Sequence, residues 1–194
     1  MSGGLDYFQS YADRLGTILA ETDWQVIEPL AAALFDAWRN KRQVFLAGNG
    51  GSAGNANHIA NDFIYPVSKQ MGSGLRVRAL SENPATLTCL ANDEGYEHIY
   101  SAQLGALADA GDLLIVLSGS GNSPNIVRVL EEAKKRQLAT YAIIAFDGGR
   151  AKAIADHPIH FAVDDMQIAE DLQMIVFNMI LQYLYSRRDE IENG

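Results

Sequence analysis

The chain alternates between two kinds of hydrophobic pattern, and this alternation predicts its elements. Residues 5–21 and 24–40 carry apolar side chains at helical spacing, which predicts a helical hairpin. Five later segments are candidate strands: the first is a short apolar run that stops at glycines, and the third is the clearest buried strand. These segments are residues 43–47, 75–80, 112–117, 140–145 and 159–163.

Helical patterns fill the intervals between these strands. We predict a helix from about residue 53, helices at about 83–92, 97–109 and 124–136, and a long amphipathic helix at about 168–187. Strands that alternate with helices pair in parallel through right-handed crossovers. The predicted architecture is therefore α/β: a five-stranded, doubly wound parallel sheet preceded by the helical hairpin.

The domain prediction follows from the lack of any repeat, low-complexity tract or long linker in the sequence. We expect one domain over residues 1–194. It divides into the hairpin at 1–40, the α/β core at 41–188 and a polar tail at 189–194.

Charge and composition narrow the classes of partner. The 194 residues include 15 Lys+Arg and 24 Asp+Glu, a net charge of −9, which argues against nucleic acid or an anionic membrane as the main partner. The single cysteine, Cys89, excludes an internal disulfide framework and a Cys-based zinc cluster. No apolar run approaches the roughly 18 residues of a membrane span, and the first residues do not form a signal-peptide pattern. We expect a cytoplasmic protein.

Two glycine- and serine-rich loops follow the predicted strands at 43–47 and 112–117. The first glycine loop is GNGGS at residues 48–52, and the second glycine loop is SGSGNS at 118–123. Glycines allow close backbone approach, serines add donors, and a helix N-terminus favours an anion, so the loops suit a phosphate without any net positive charge. The second glycine loop matches neither the P-loop nor the dinucleotide fingerprint. The alternative is that both loops are ordinary turns and helix caps.

The motifs GNGGS, then His58, then Asn92-Asp93, then SGSGNS occur in an order and spacing that resembles the sugar isomerase (SIS) domain of the phosphoheptose isomerases. The resemblance spans about residues 5–186. It implies a flavodoxin-like SIS fold, a homotetramer with sites shared between subunits, and a phosphorylated sugar as substrate. Ten residues would line that site: Asn49, Gly50, Gly51, Ser52, Asn92, Asp93, Ser118, Gly119, Ser120 and Ser123.

The same resemblance implies an aldose–ketose isomerisation through an enediol. It gives Asp62 and His58 catalytic roles, and it makes His58, Asp62 and Glu170 candidate ligands of zinc or another divalent metal. The sequence departs from the family at four positions: Asp62 stands for Glu, Glu170 for Gln, Asn178 for His and Pro66 for Arg. Because Asn178 cannot act as an acid or base at neutral pH, the proton transfers of the family need another group here.

Several alternatives stay open from the sequence. His58 and Asp62, four residues apart, either share a metal or form a simple hydrogen bond on one helix face. Asp165 either caps the last helix or contacts sugar hydroxyls, and Glu170 would contact substrate as well as metal. For the whole chain, the alternative to an enzyme is a non-catalytic phosphosugar-binding or scaffold protein, resembling the bacterial SIS protein that associates with the replication initiator.

Overall fold

The computed structural model describes residues 3–65 and 74–192 of the chain. Its strands are β1 (Gln43–Gly48), β2 (Arg76–Ala79), β3 (Leu113–Ser118), β4 (Ala139–Ile144) and β5 (His157–His160). All four neighbouring pairs are parallel, and the strand order is β2-β1-β3-β4-β5. The predicted doubly wound sheet is confirmed, and its order reverses between β1 and β3.

Helices connect the strands and cover both faces of the sheet. They are α1 (Gly3–Glu21), α2 (Glu28–Arg39), α3 (Gly51–Ile64), α4 (Pro84–Asp93), α5 (Ser101–Leu107), α6 (Pro124–Lys135), α7 (Gly149–Ile154), α8 (Met166–Ser186) and α9 (Asp189–Glu192). Short 3₁₀ turns occupy Trp24–Ile27 and Tyr96–His98. Within residues 3–65 and 74–192, no helix combines the length and the hydropathy that a bilayer crossing requires.

The continuous apolar runs of the strands are explained by burial on both faces. In β1, Val44 and Leu46 pack into a cluster with side chains of α2, α3 and α8. Phe45 and Ala47 point the other way, into a second cluster with α5, α6 and α7. Because successive strand residues alternate between faces, a strand covered on both sides needs apolar residues at every position.

Some element boundaries differ from those predicted. The last strand is His157–His160 rather than 159–163, because it is an edge strand in which Ile159 alone is fully buried. The helix after the first glycine loop begins at Gly51, two residues earlier than predicted, and α7 was not predicted at all. Part of the predicted polar tail, Asp189–Glu192, forms the short α9. Pro66 lies outside the described residues.

Candidate functional site

The two glycine loops lie side by side at the point where the strand order reverses. The first follows β1 and the second follows β3, and these strands are neighbours. Open α/β sheets bind ligands in the crevice at such a reversal. Here the crevice is a cavity of about 270 Å³. Its lining includes all eight predicted loop residues, Asn49, Gly50, Gly51, Ser52, Ser118, Gly119, Ser120 and Ser123, together with Leu117, Met166 and Glu170.

A reciprocal pair of amide hydrogen bonds joins the loops. The Asn49 side-chain amide donates to Oδ1 of Asn125 at 2.9 Å, and the Asn125 amide donates to Oδ1 of Asn49 at 2.8 Å. Asn125 is fully buried in the first turn of α6. Asn125 was not predicted from the sequence to belong to the site. A sequence pattern could have indicated it. Asn125 lies four and eight residues before the buried Val129 and Ala133, so it is a polar residue on a helix face that is otherwise apolar.

Two tyrosines hold the first glycine loop from the other side. The hydroxyl of Tyr100 donates to the Gly48 carbonyl, and that of Tyr96 donates to Asn49 Oδ1 at 3.1 Å. Burial raises the pKa of Tyr100, so its hydroxyl remains a donor at physiological pH. Both tyrosines lie near the 3₁₀ turn after α4, where the sequence analysis assigned no role.

Internal hydrogen bonds shape the second glycine loop. Ser118 Oγ accepts from the Gly121 amide at 3.1 Å, and Ser120 Oγ accepts from the Asn122 amide at 3.3 Å. Gly121 has a φ of +65°, a conformation that strongly favours glycine. Ser123 is the N-cap residue of α6, but its side chain makes no capping hydrogen bond. Serine hydroxyls at the N-terminus of a helix are donors that suit a phosphate.

The beginning of α8 covers both loops. A Cβ atom built on Gly51 would lie 2.3 Å from each carboxylate oxygen of Glu170, and one built on Gly119 would lie 2.6 Å from the sulfur of Met166. Glycine at these two positions therefore permits the contact with α8. Among the described residues that line the cavity, Glu170 is the sole Asp, Glu, His, Lys or Arg.

Buried hydrogen bonds fix α8 against α3. The Gln173 amide donates to Ser52 Oγ at 3.1 Å, and Gln173 Oε1 accepts from the Asn55 amide at 2.9 Å. Asn55 also donates to the backbone carbonyl of Glu170 at 3.0 Å. Ser52 and Gln173 are both buried, so this network sets the position of α8 above the first glycine loop. Gln173 and Asn55 were not identified from the sequence.

His58 and Asp62 lie farther along α3, outside the cavity lining. Nε2 of His58 is 3.2 Å from Oδ2 of Asp62, and the side chain of His58 is largely exposed. The carboxylate of Asp62 also accepts from the Asn61 amide. The structure therefore shows one of the two alternatives predicted for this pair, a hydrogen bond between His58 and Asp62 on one face of α3.

The three predicted metal ligands do not converge within one chain. Glu170 lies over Gly51, which precedes His58 by seven residues of α3, about 10 Å of helix. Among the residues that the structure describes, no three or more His, Cys, Asp or Glu side chains are grouped as a metal site. Structural and catalytic zinc sites use at least three protein ligands, so the described residues of one chain do not by themselves complete such a site.

Three other predicted residues lie away from the cavity lining. Asn92 and Asp93 are exposed at the end of α4, where Asp93 accepts from the Asn92 amide and the Cys89 thiol. Asp165 caps α8 by accepting from the amides of Gln167 and Ile168, which confirms its interpretation as a helix cap. Their predicted contacts with sugar stay predictions.

Asp165 also joins α8 to α1. Its Oδ2 accepts from Nη1 of Arg14 at 2.7 Å. The Arg14 hydrogen bond, followed by the Ile168 amide, lowers the pKa of Asp165 below its ordinary value. Asn178, farther along α8, is exposed.

The chain belongs to the SIS-domain family, whose model matches residues 6–145. Relatives within that family are named phosphoheptose isomerase. That of Aneurinibacillus thermoaerophilus is 32% identical over 90% of this chain and 88% of its own length. That of Chlorobaculum parvum is 38% identical over 75% of this chain and 70% of its own. These findings confirm the family resemblance seen in the sequence.

A solved structure supports the fold. The phosphoheptose isomerase GmhA from Neisseria gonorrhoeae superposes with a TM-score of 0.85, covering 95% of this chain and 98% of its own, at 24% identity. The SIS fold predicted from the motifs is thus confirmed.

Proposed function

We propose that this chain is an aldose–ketose isomerase of phosphorylated sugars, of the phosphoheptose isomerase type. The observation that carries the proposal is the cavity where both glycine loops meet, in a chain with phosphoheptose isomerases as relatives. Sedoheptulose 7-phosphate is the substrate that this kinship favours. The reaction moves a proton between C1 and C2 through an enediol, so it needs a phosphate anchor and a proton-transfer group.

The second glycine loop is suited to anchor the phosphate. Ser118, Ser120 and Ser123 line one part of the cavity, next to the N-terminus of α6. Neutral hydroxyls and the positive end of a helix bind an anion without a cationic side chain. This explains how a chain with a net charge of −9 binds an anionic sugar.

Turnover is the direct test. The purified protein is incubated with sedoheptulose 7-phosphate, and the aldose phosphate is detected by NMR. We expect conversion by the wild type and a large loss of substrate affinity in Ser120→Ala, with the exposed Ser186→Ala as control. Binding of the sugar phosphate without conversion would contradict the isomerase.

A phosphosugar-binding protein without turnover is the second candidate. It is favoured by the exposed Asn178 in place of the family's histidine, and by a His58–Asp62 pair that lies outside the cavity. The partner class predicted for this alternative is a replication initiator. Capture of the initiator by this protein, together with binding but no conversion of ketose phosphates, would support it over the isomerase.

Metal binding remains a proposal that rests on His58, Asp62 and Glu170. Because one chain does not gather the three donors, we assign no catalytic step to a metal. Metal analysis of protein purified without chelator, and thermal unfolding with and without zinc, test the proposal. A bound divalent ion that is lost in His58→Ala would support it, and no ion with no thermal shift would contradict it.

The proposed assembly is a homotetramer, as the family resemblance implies, in the cytoplasm. Light scattering coupled to size-exclusion chromatography measures the mass directly. Four times the chain's 21.2 kDa is the expected result, and a monomer would contradict it.

A further inference from the structure

The two glycine loops bring different chemical groups to the cavity. Ser118, Ser120 and Ser123 of the second glycine loop line it, and the carboxylate of Glu170 lies over Gly51 of the first. A phosphate and a carboxylate repel each other, so a phosphate is favoured beside the second glycine loop. The reacting carbons of the sugar are then placed on the side of Glu170.

We propose that Glu170 is the base that moves the proton between the two reacting carbons of the sugar. This inference rests on the proposed isomerase function and names the group that performs its central step. Three observations carry it: the place of Glu170 in the cavity, the absence of any other Asp, Glu, His, Lys or Arg from the cavity lining within residues 3–65 and 74–192, and the location of Asp62 outside that lining.

Asp62 is less suited to the role within this chain. Its carboxylate already accepts from the Asn61 amide and lies 3.2 Å from His58 Nε2. It is eleven residues beyond Gly51 on α3, about 16 Å along the helix axis. A base must reach the proton that it removes to within hydrogen-bonding distance or through one water. Of the two carboxylates, Glu170 meets this condition for a ligand that occupies the loop cavity.

The position of Glu170 is fixed by its surroundings. Its backbone carbonyl accepts from the Asn55 amide, and Gln173, one turn later, is bonded to Ser52. These contacts hold α8 on α3, so the carboxylate is directed over Gly51. A preorganised base loses little conformational freedom when substrate binds.

The reaction balances without a further reactant. The Glu170 carboxylate removes the proton from the hydroxyl-bearing carbon next to the carbonyl. The C–H electron pair becomes the C=C bond, and the carbonyl π pair moves to its oxygen to give an enediolate. Glu170 returns the proton to the former carbonyl carbon while the C=C pair forms the new C–H bond. The adjacent hydroxyl becomes the new carbonyl, and its proton passes through water to the enediolate oxygen.

The decisive experiment compares Glu170→Gln with Asp62→Asn and with Asp171→Asn. Asp171 is the matched control, because it is the next residue of α8 and its carboxylate bonds to the Tyr11 hydroxyl instead of lining the cavity. Three quantities are measured for each protein: kcat and KM, sugar phosphate affinity by calorimetry, and incorporation of solvent deuterium at C1 and C2 by NMR.

For Glu170→Gln we expect kcat and deuterium incorporation to fall by about 10²- to 10⁴-fold. Affinity should be unchanged or slightly higher, because a charge that repels the phosphate is removed. Asp171→Asn should keep the wild-type kcat, and Asp62→Asn should lower deuterium incorporation less than Glu170→Gln does.

Gly51→Ala provides a test that keeps the carboxylate. The methyl group would meet both carboxylate oxygens of Glu170 at 2.3 Å, so the side chain must move, while alanine is well tolerated in the first turn of a helix. We expect a fall in kcat that is smaller than that of Glu170→Gln.

The outcomes separate the two proposals. A wild type that converts substrate while Glu170→Gln keeps its kcat would overturn the role of Glu170 and leave the isomerase intact. Loss of deuterium incorporation in Asp62→Asn but not in Glu170→Gln would also overturn the role of Glu170 and leave the isomerase intact. A wild type that binds the sugar phosphate but neither converts it nor exchanges its protons overturns the isomerase and the base together.

Discussion

Asn49 and Asn125 lie 76 residues apart in the chain, and the side-chain amide of each donates a hydrogen bond to Oδ1 of the other at 2.8–2.9 Å. One belongs to the first glycine loop and the other to the helix that follows the second. The pair therefore fixes the separation of the two loops across the reversal of the sheet. It is a direct polar link between two segments that follow neighbouring strands of the sheet.

Removing this link should weaken both the fold and the site. We expect Asn125→Ala to destabilise the protein by about 1–3 kcal/mol, because the Asn49 amide loses its buried partner. Sugar phosphate affinity should fall about tenfold or more as the loops separate. Urea unfolding and calorimetry measure the two effects. Asn40→Ala, which removes an exposed amide bonded to Asp36 at the end of α2, is the control and should retain wild-type affinity.

The bond between Gln173 and Ser52 should show energetic coupling. We expect Gln173→Leu to cost about 1–3 kcal/mol of unfolding free energy, because the buried Ser52 hydroxyl loses its donor and Asn55 loses an acceptor. A double-mutant cycle with Ser52→Ala should give a coupling energy of about 0.5–3 kcal/mol. Gln167→Leu, on an exposed position of the same helix, should change stability little. Simple additivity of the two substitutions would contradict the network.

Glycine at position 121 should be required by the backbone. Gly121 has a φ of +65°, and a Cβ atom there would lie 2.1 Å from the carbonyl oxygen of Gly148. We expect Gly121→Ala to destabilise the protein by at least about 1–2 kcal/mol and to reduce sugar phosphate binding, because the second glycine loop must shift. Gly16→Ala is the matched control, since no atom lies within 4 Å of its added Cβ. There, in the interior of α1, we expect a gain of about 0.5–1 kcal/mol.

The Arg14–Asp165 ion pair should make stability depend on pH. The Arg14 hydrogen bond lowers the pKa of Asp165 in the folded state, so folding favours the charged carboxylate. Its stabilisation is fully present above the ordinary aspartate pKa of about 3.9 and is lost as the pH falls through the lowered folded-state pKa. Thermal unfolding from pH 6 to pH 2 should show a higher Tm for wild type than for Asp165→Asn, with the difference shrinking below about pH 4.

Asparagine at 165 keeps a helix cap, so this comparison isolates the charge. Asp164→Asn makes the same charge change one residue earlier and serves as control. A difference between wild type and Asp165→Asn that does not vary with pH would contradict the role of the ion pair.

The sheet and the loops were predictable because their signals are local. A strand buried on both faces is an apolar run, and a loop that must turn sharply after it is rich in glycine, so β1, β3 and both glycine loops follow from neighbouring residues. The bounds of the edge strand β5 were predicted wrongly because the prediction relied on the same local signal, a run of apolar residues. The first residue of β5, His157, is polar, and Pro158 is a residue type that disfavours strands, while the apolar stretch that follows it, through Val163, lies beyond the strand.

The parts of the site that the sequence analysis missed depend on tertiary contact. Asn125, Gln173 and Tyr100 act through partners 76, 121 and 52 residues away. No local pattern encodes which partner a polar side chain will meet when helices pack. The grouping of His58, Asp62 and Glu170 as ligands came from a resemblance of motifs. A shared motif order does not show that three side chains of one chain converge.

The covering of the loops by α8 has a consequence for biosynthesis. The ribosome completes both glycine loops before it makes Met166 and Glu170, because α8 follows the last strand in the chain. Domains form progressively as the chain emerges. A nascent or truncated chain that stops after β5 would contain the serines that suit a phosphate but lack the carboxylate above Gly51. Under the proposed role of Glu170, chemical competence therefore requires that α8, one of the last helices of the chain, has docked over the loops.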